Sequence, residues 1–113
     1  MIMIADDEGD VLDTLKSILE LHDFQVIACP SAESALEQYD LHRGFISAVI
    51  SDYHLASMNG LRLLQEIQQQ QSSIRAILIS GNPPQNMPES IKLFKKPINY
   101  DALVDYLKRQ KLT

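Results

Sequence analysis

Residues 1–7 of the chain are MIMIADD, an apolar run that ends in the acidic pair Asp6 and Asp7. A second apolar run, residues 48–51, ends in the same way at Asp52. Short apolar runs bounded by polar residues are typical of strands that are buried on both faces of a sheet. If the two strands are parallel, their carboxyl ends meet at one edge, where open α/β sheets bind their ligands. The sequence therefore predicts three carboxylates close together at this edge.

Carboxylates in such a cluster repel one another unless a cation lies among them. A site that offers only oxygen ligands favours Mg²⁺ over zinc or copper, and Mn²⁺ can take its place. We therefore expect a magnesium site at the strand ends.

Composition limits the class of protein. The chain has 113 residues, within the commonest domain size, so we expect one domain over residues 1–113. A net charge of −5 without a block of lysine or arginine argues against direct binding to nucleic acid.

The single cysteine, Cys29, excludes an internal disulfide. No apolar segment has the length of a membrane span and no cleavable leader is visible, so we expect a cytoplasmic chain that does not bind membranes.

The apolar pattern alternates between the strand period and the helix period along the chain. Asp10, Ser31 and Asn99 are predicted to begin helices, and Gly44 to end the second one. Alternating strands and helices imply right-handed crossovers and a parallel sheet. The predicted strands are residues 2–5, 24–29, 45–51, 74–80 and 91–95.

Residues 81–88, GNPPQNMP, interrupt this alternation. Prolines remove backbone donors and disfavour helical angles in the residues before them. The fourth helix is therefore predicted to be short or missing.

Two further polar residues are predicted at the same edge of the sheet, because Ser80 closes the fourth strand and Lys96 follows the fifth. A carboxylate nucleophile, a divalent cation, a hydroxyl and an ammonium group are together the parts that phosphoryl transfer needs. Asp52 can attack phosphorus to give an aspartyl phosphate. Mg²⁺ and Lys96 can neutralise the phosphoryl oxygens, and Ser80 can donate a hydrogen bond to one of them.

This pattern resembles the receiver domains of bacterial two-component response regulators and hybrid sensor histidine kinases, over essentially the whole chain. The resemblance implies that Asp52 is the phosphoacceptor. It also implies that Asp7 binds Mg²⁺ directly, that Asp6 binds it through water, and that His54 binds it through its backbone carbonyl.

Other features follow from the same resemblance. Ser80 is similar to the family's switch hydroxyl, and Lys96-Pro97 to its lysine-proline pair, whose peptide bond is typically cis. The implied fold is flavodoxin-like, a doubly wound five-stranded parallel sheet in the order 2-1-3-4-5. The implied phosphoryl donor is a phosphohistidine on a histidine kinase or histidine phosphotransfer domain, and the output domain or protein stays unidentified. Such a module switches conformation and catalyses only its own phosphorylation and dephosphorylation.

The sequence departs from the family pattern in three places. Ala56 replaces a usual proline, and the stretch between Ser80 and Lys96 is short and rich in proline. Leu93 stands where an aromatic switch residue is common, with Phe94 beside it. Whether Phe94 takes over that role or packs in the core stays open.

Other function classes fit less well. A small magnesium-dependent phosphohydrolase would use the same aspartyl phosphate, but His54 stands where its second carboxylate is needed. A flavodoxin needs a phosphate-binding loop after the first strand, where residues 6–8 would repel a phosphate. A degenerate receiver that acts only as an interaction surface conflicts with the complete set of site residues.

Overall fold

A computed structural model describes residues 1–111, without the side chains of residues 110 and 111. Five parallel strands form one sheet in the order β2-β1-β3-β4-β5. This confirms the predicted doubly wound, flavodoxin-like fold. The strands are β1 Ile2–Ala5, β2 Val26–Cys29, β3 Ala48–Asp52, β4 Arg75–Ser80 and β5 Ile91–Lys95, and the helices are α1 Gly9–Leu21, α2 Ala32–Leu41, α3 Gly60–Gln70 and α4 Tyr100–Lys111.

The sheet separates two apolar clusters. Met3 and Ala5 of β1 face the cluster that includes the buried residues of α2 and α3. Ile2 and Ile4 face the cluster that includes the buried residues of α1 and α4. Because successive side chains of a strand point to opposite faces, a central strand that is covered by helices on both sides must be apolar throughout. This explains the unbroken apolar runs of the sequence.

Three helix starts were predicted from capping residues, and one of them was wrong. The Ser31 side chain accepts a hydrogen bond from the Ser34 N–H at 3.0 Å, and Asn99 caps the last helix by accepting from the Ala102 N–H at 3.0 Å. However, α1 begins at Gly9, so Asp10 lies inside its first turn. An acidic residue stabilises that turn through the helix dipole as well as by capping, and the sequence pattern cannot separate the two roles.

Two predicted strands were too long at their amino ends by more than one residue. The Phe45 N–H donates to the His42 carbonyl in a turn, and Phe45 is 72% exposed, so β3 begins only at Ala48. Gly44 lies in this turn with φ of 92° rather than at the end of α2. The Phe24 N–H likewise donates to the Leu19 carbonyl of α1 at 3.1 Å, and β2 begins only at Val26. Local turn hydrogen bonds override the strand propensity of these aromatic residues.

The connection between β4 and β5 contains no helix within the described residues 1–111, as predicted. Met87 from this connection packs against the cluster on the α2 and α3 face. Ser90 and Gln68 exchange hydrogen bonds of 3.1 and 3.3 Å, which tie the connection to α3. An irregular segment thus covers the part of the sheet that a fourth crossover helix would cover.

In the part of the chain that the structure describes, every helix is too short or too polar to span a membrane.

Candidate functional site

The sheet register places the predicted site residues at one edge. Ala5 pairs with Ser51, so Asp6 and Asp52 follow at neighbouring positions. On the other side of β3, the Tyr53 N–H donates to the Ile79 carbonyl at 2.9 Å, which places Ser80 next to the end of β3. The carboxyl ends of β1, β3 and β4 therefore meet, as the parallel arrangement requires.

The three carboxylates form a cluster. Each of Asp6, Asp7 and Asp52 offers an oxygen, and these oxygens lie within 4.8 Å of one another. Asp6 and Asp52 are buried, whereas Asp7 is exposed. Burial raises the pKa of Asp6, and the negative charge of Asp52 raises it further, although a hydrogen bond from the Glu8 N–H at 2.9 Å opposes the shift. The cluster is thus a concentration of negative charge that a cation would stabilise.

Lys96 reaches this cluster from the segment after β5. Its Nζ lies 2.9 Å from Asp52 Oδ1, and the Lys96 side chain is 33% exposed. The contact with Asp52 is the main cause of a raised pKa for Lys96, and the charge of Asp6 adds to it. The Lys96 N–H also donates to the Ser80 carbonyl at 3.1 Å. Lys96 is therefore held as a cation beside a carboxylate that is almost fully buried.

Unsatisfied polar atoms also mark this edge of the sheet. Among the side chains that the structure describes, Asp52 Oδ1 and Ser80 Oγ are the buried oxygen atoms without a hydrogen-bond partner. Oδ1 nevertheless lies 2.9 Å from Lys96 Nζ in an ion pair, so Ser80 Oγ is the one of these two atoms that is left without a partner. Because buried polar groups are nearly always satisfied in folded proteins, the Ser80 hydroxyl indicates a place where another polar group binds.

The donor set fits Mg²⁺. Three carboxylates supply hard oxygen ligands, and Mg²⁺ is usually bound by one or two carboxylates together with waters and phosphate oxygens. An anionic phosphoryl group could at the same time accept from the Ser80 hydroxyl and contact Lys96. The pattern of charge and of unsatisfied atoms therefore matches a metal ion and a phosphoryl group together.

Comparison with known proteins agrees with this geometry. Residues 2–108 match the family model described as "Response regulator receiver domain". The chain belongs to the response regulator receiver family. Members of this family are signalling modules of two-component systems, and the match does not support the alternative of a phosphohydrolase.

Individual relatives of this receiver domain are distant. A putative two-component response regulator of Arabidopsis thaliana, ARR21, is 30% identical over 72% of this chain and 13% of its own length. The two-component response regulator PprB of Pseudomonas aeruginosa is 26% identical over 96% of this chain and 42% of its own length. The chain thus spans less than half the length of these relatives. The receiver domain of the hybrid histidine kinase CckA has the same fold, with a TM-score of 0.84, 24% identity and 96% of each chain covered.

Two further features of the family pattern can be located in this receiver domain. The Lys96–Pro97 peptide bond is cis, as predicted. Leu93 packs against the cluster on the α2 and α3 face, whereas Phe94 packs on the opposite face. There the Phe94 ring meets the Tyr106 ring edge-on, with centroids 5.8 Å apart. Phe94 is thus part of the packing between β5 and α4.

The loop after Asp52 contains the last of the predicted ligands, His54. The His54 side chain is exposed, and its ring contacts the Tyr53 ring edge-on with centroids 5.2 Å apart. The predicted metal ligand at this position is the backbone carbonyl of His54, not its side chain. The loop ends at Gly60, whose N–H donates to the Tyr53 carbonyl at 2.7 Å. Beneath it, the fully buried Ser51 hydroxyl donates to the Asp52 carbonyl at 2.9 Å.

The sequence analysis missed this contact of Ser51, because it counted the residue as one member of an apolar run. The available signal was a hydroxyl at a buried strand position directly before Asp52. A buried hydroxyl needs a partner, and the nearest backbone carbonyl supplies one.

Proposed function

We propose that this chain is a single phosphoacceptor receiver domain over residues 1–113 and that Asp52 carries the phosphoryl group. The main support for the proposal is the distance of 2.9 Å between Lys96 Nζ and Asp52 Oδ1. The unpartnered Ser80 hydroxyl and the carboxylates of Asp6 and Asp7 lie beside this pair. These are the groups that phosphoryl transfer to a carboxylate requires.

In the proposed reaction, a carboxylate oxygen of Asp52 forms a bond to phosphorus while the bond from phosphorus to the donor nitrogen breaks. The bonding electron pair returns to the imidazole of the donor. Lys96 neutralises charge on the phosphoryl oxygens, and the Ser80 hydroxyl donates to one of them. The domain would catalyse only its own phosphorylation and dephosphorylation, and no diffusible metabolite would be turned over.

Mg²⁺, or Mn²⁺ in its place, would supply charge neutralisation and orientation of the phosphoryl group. Asp7, Asp6 and Asp52 would hold the ion through their carboxylates, directly or through water, and His54 through its backbone carbonyl. Their clustering within 4.8 Å supports the carboxylate part of this set.

The proposed partners are a histidine kinase or a histidine phosphotransfer domain as donor, and an output domain or protein that receives the signal. The likeness to the receiver of a hybrid histidine kinase supports a donor of this class. A net charge of −5 supports a domain without direct contacts to nucleic acid, and we propose a cytoplasmic location, where histidine kinases present their phosphohistidine.

Phosphorylation would act by shifting a conformational equilibrium. Once a phosphoryl oxygen accepts from Ser80, the end of β4 is drawn toward Asp52, and the connection that follows must adjust. The hydrogen bonds between Ser90 and Gln68 link that connection to α3. The change would therefore reach α3 through this irregular segment rather than through a fourth helix.

Intact-protein mass spectrometry tests the proposal. The purified domain is incubated with Mg²⁺ and a small phosphodonor, beside an Asp52→Asn variant and a sample with chelator. We expect a gain of one phosphoryl group in the wild type with Mg²⁺ and in neither control. Equal phosphorylation of Asp52→Asn, or steady release of phosphate from varied monoesters, would contradict the proposal.

A further inference from the structure

The backbone that carries Asp52 is held by an unusual pair of contacts on its α3 side. The Ser51 hydroxyl donates to the Asp52 carbonyl at 2.9 Å, and the Gly60 N–H donates to the next carbonyl, that of Tyr53, at 2.7 Å. The Tyr53 N–H is held from the other side by Ile79 of β4 at 2.9 Å. The peptide group between Asp52 and Tyr53 is thus held at both its carbonyl and its N–H, and the next peptide group is held at its carbonyl by Gly60.

No space is left between Gly60 and these contacts. A Cβ added at Gly60 would lie 2.0 Å from the Asp52 carbonyl oxygen and 2.7 Å from Ser51 Oγ. The first residue of α3 therefore rests directly on the Ser51 hydroxyl and on the carbonyl that it satisfies. Ser51 is itself 0% exposed, so water cannot replace its hydrogen bond without rearrangement.

The first of these peptide groups is attached to the Cα that carries the reactive carboxylate. Asp52 Oδ1 must lie beside Lys96, at 2.9 Å in this structure, and close to the carboxylates of Asp6 and Asp7. A displacement of the peptide after Asp52 would shift the Asp52 Cα, and the carboxylate that this Cα carries would move with it. Transfer reactions are sensitive to such movements, because reacting atoms must be held in a narrow range of distance and angle.

We infer that Ser51 is a positioning residue for phosphorylation: its hydroxyl fixes the Asp52 peptide beneath α3 and so holds the Asp52 carboxylate in register with Lys96. This inference rests on the proposed function, because it assigns Ser51 a part in the phosphorylation of Asp52. Ser51 itself touches neither the phosphoryl group nor the donor.

The test compares Ser51→Ala, which removes the donor, with Ser51→Thr, which keeps a hydroxyl, and with Val49→Ala. Val49 lies two positions earlier on β3, is fully buried, and faces the same side of the sheet as Ser51. All three are measured at a temperature where circular dichroism shows each to be folded. The rate constant of phosphorylation is determined at saturating Mg²⁺ as a function of phosphodonor concentration, and denaturation midpoints are determined in parallel.

We expect Ser51→Ala to lower the maximal rate constant by about ten- to a hundredfold. The donor concentration for half-maximal rate should change by less than about twofold, because an alignment of reacting groups rather than donor binding is lost. Val49→Ala should lower the denaturation midpoint and leave the rate constant unchanged, and Ser51→Thr should recover most of the rate.

Two outcomes would overturn the inference. In the first, Ser51→Ala reacts at the wild-type rate. In the second, Val49→Ala slows phosphorylation as much as Ser51→Ala does, which would show that the rate follows general stability. If Ser51→Thr does not fold, the comparison of the two alanine variants still decides between these results. Failure of the proposed function is a separate result, because the wild type itself would then not be phosphorylated.

Discussion

Replacing Gly60 by alanine should destabilise this domain far more than the same change at Gly9. Both glycines are the first residues of helices, Gly60 of α3 and Gly9 of α1. A Cβ at Gly60 would lie 2.0 Å from the Asp52 carbonyl oxygen, whereas a Cβ at Gly9 would meet nothing within 4 Å. The two positions therefore share the helical context and differ in their surroundings.

The expected size of the effect follows from this contact. Real Cβ atoms essentially never approach within 3.0 Å, so α3 or the end of β3 must move by about 1 Å. Overpacking of this kind costs about 1–3 kcal/mol. Weakening of the hydrogen bond from the Gly60 N–H to Tyr53 adds about 1 kcal/mol. The lower entropy of the unfolded chain with alanine offsets about 0.4–1 kcal/mol.

The net loss for Gly60→Ala should be about 2–3 kcal/mol, which corresponds to a fall in Tm of about 10 °C for a domain of this size. For Gly9→Ala we expect no loss, or a gain of up to about 1 kcal/mol. Urea denaturation followed by circular dichroism gives the free energy of unfolding of both variants. Equal stability of the two variants would refute the steric reasoning, since it predicts a loss of stability for Gly60→Ala alone.

Three other predictions concern the metal, the thiol and the aromatic pair. Mg²⁺ at about a hundred times its dissociation constant should raise the free energy of unfolding by about 2.7 kcal/mol. Asp7→Asn should remove most of this gain, and thermal denaturation of both proteins with Mg²⁺ and with chelator measures it. Burial raises the pKa of Cys29 from 9.0 to about 11 in the folded domain. The buried neutral thiol therefore contributes its full stabilisation below pH 9, and this stabilisation is lost as the pH rises through 11. The stability difference between wild type and Cys29→Ala, measured by denaturation at each pH, should therefore fall by about 2–3 kcal/mol over that range, and a constant difference would exclude the shift. Phe94→Ala should cost about 1–3 kcal/mol by removing the contact with Tyr106, yet leave the phosphorylation rate constant unchanged; a large loss of rate would instead assign Phe94 a role in the reaction.

Much of the fold could be predicted from the sequence because the central strands β1, β3 and β4 are buried on both faces. Such strands produce unbroken apolar runs, and these runs end where polar residues such as Asp6 and Asp52 reach the edge of the sheet. The parallel arrangement then follows from the alternation with helices. The prolines of residues 81–88 likewise explain why the helix between β4 and β5 is missing.

The errors lie where local hydrogen bonds decide the structure. Phe45 has strong strand propensity but lies in a turn that is fixed by its hydrogen bond to His42. Asp10 looks like a capping residue, yet α1 begins one residue earlier without a side-chain cap. In each case the competing conformations differ by about 1 kcal/mol, which a pattern of residue types does not resolve.

In the candidate site, too, some features could be predicted from the sequence and others depend on close contacts. The approach of Asp6, Asp7, Asp52, Ser80 and Lys96 to one edge could be predicted, because each follows or ends a strand of one parallel sheet. The close packing of α3 on the hydrogen bond between Ser51 and the Asp52 carbonyl could not, because it depends on the distance between α3 and the end of β3. That distance is set by the missing side chain of Gly60, whose effect appears only in three dimensions.

The most direct measurement is the position of the phosphoryl group in the phosphorylated domain. Borohydride reduces an acyl phosphate to an alcohol, and tandem mass spectrometry of the resulting peptides identifies the reduced residue. We expect the reduced residue to be Asp52, within the peptide that contains β3, and only after incubation with Mg²⁺ and a phosphodonor. Reduction at Asp6 or Asp7, or a phosphoryl group that resists borohydride because it is bound to a hydroxyl, would contradict the assignment of Asp52.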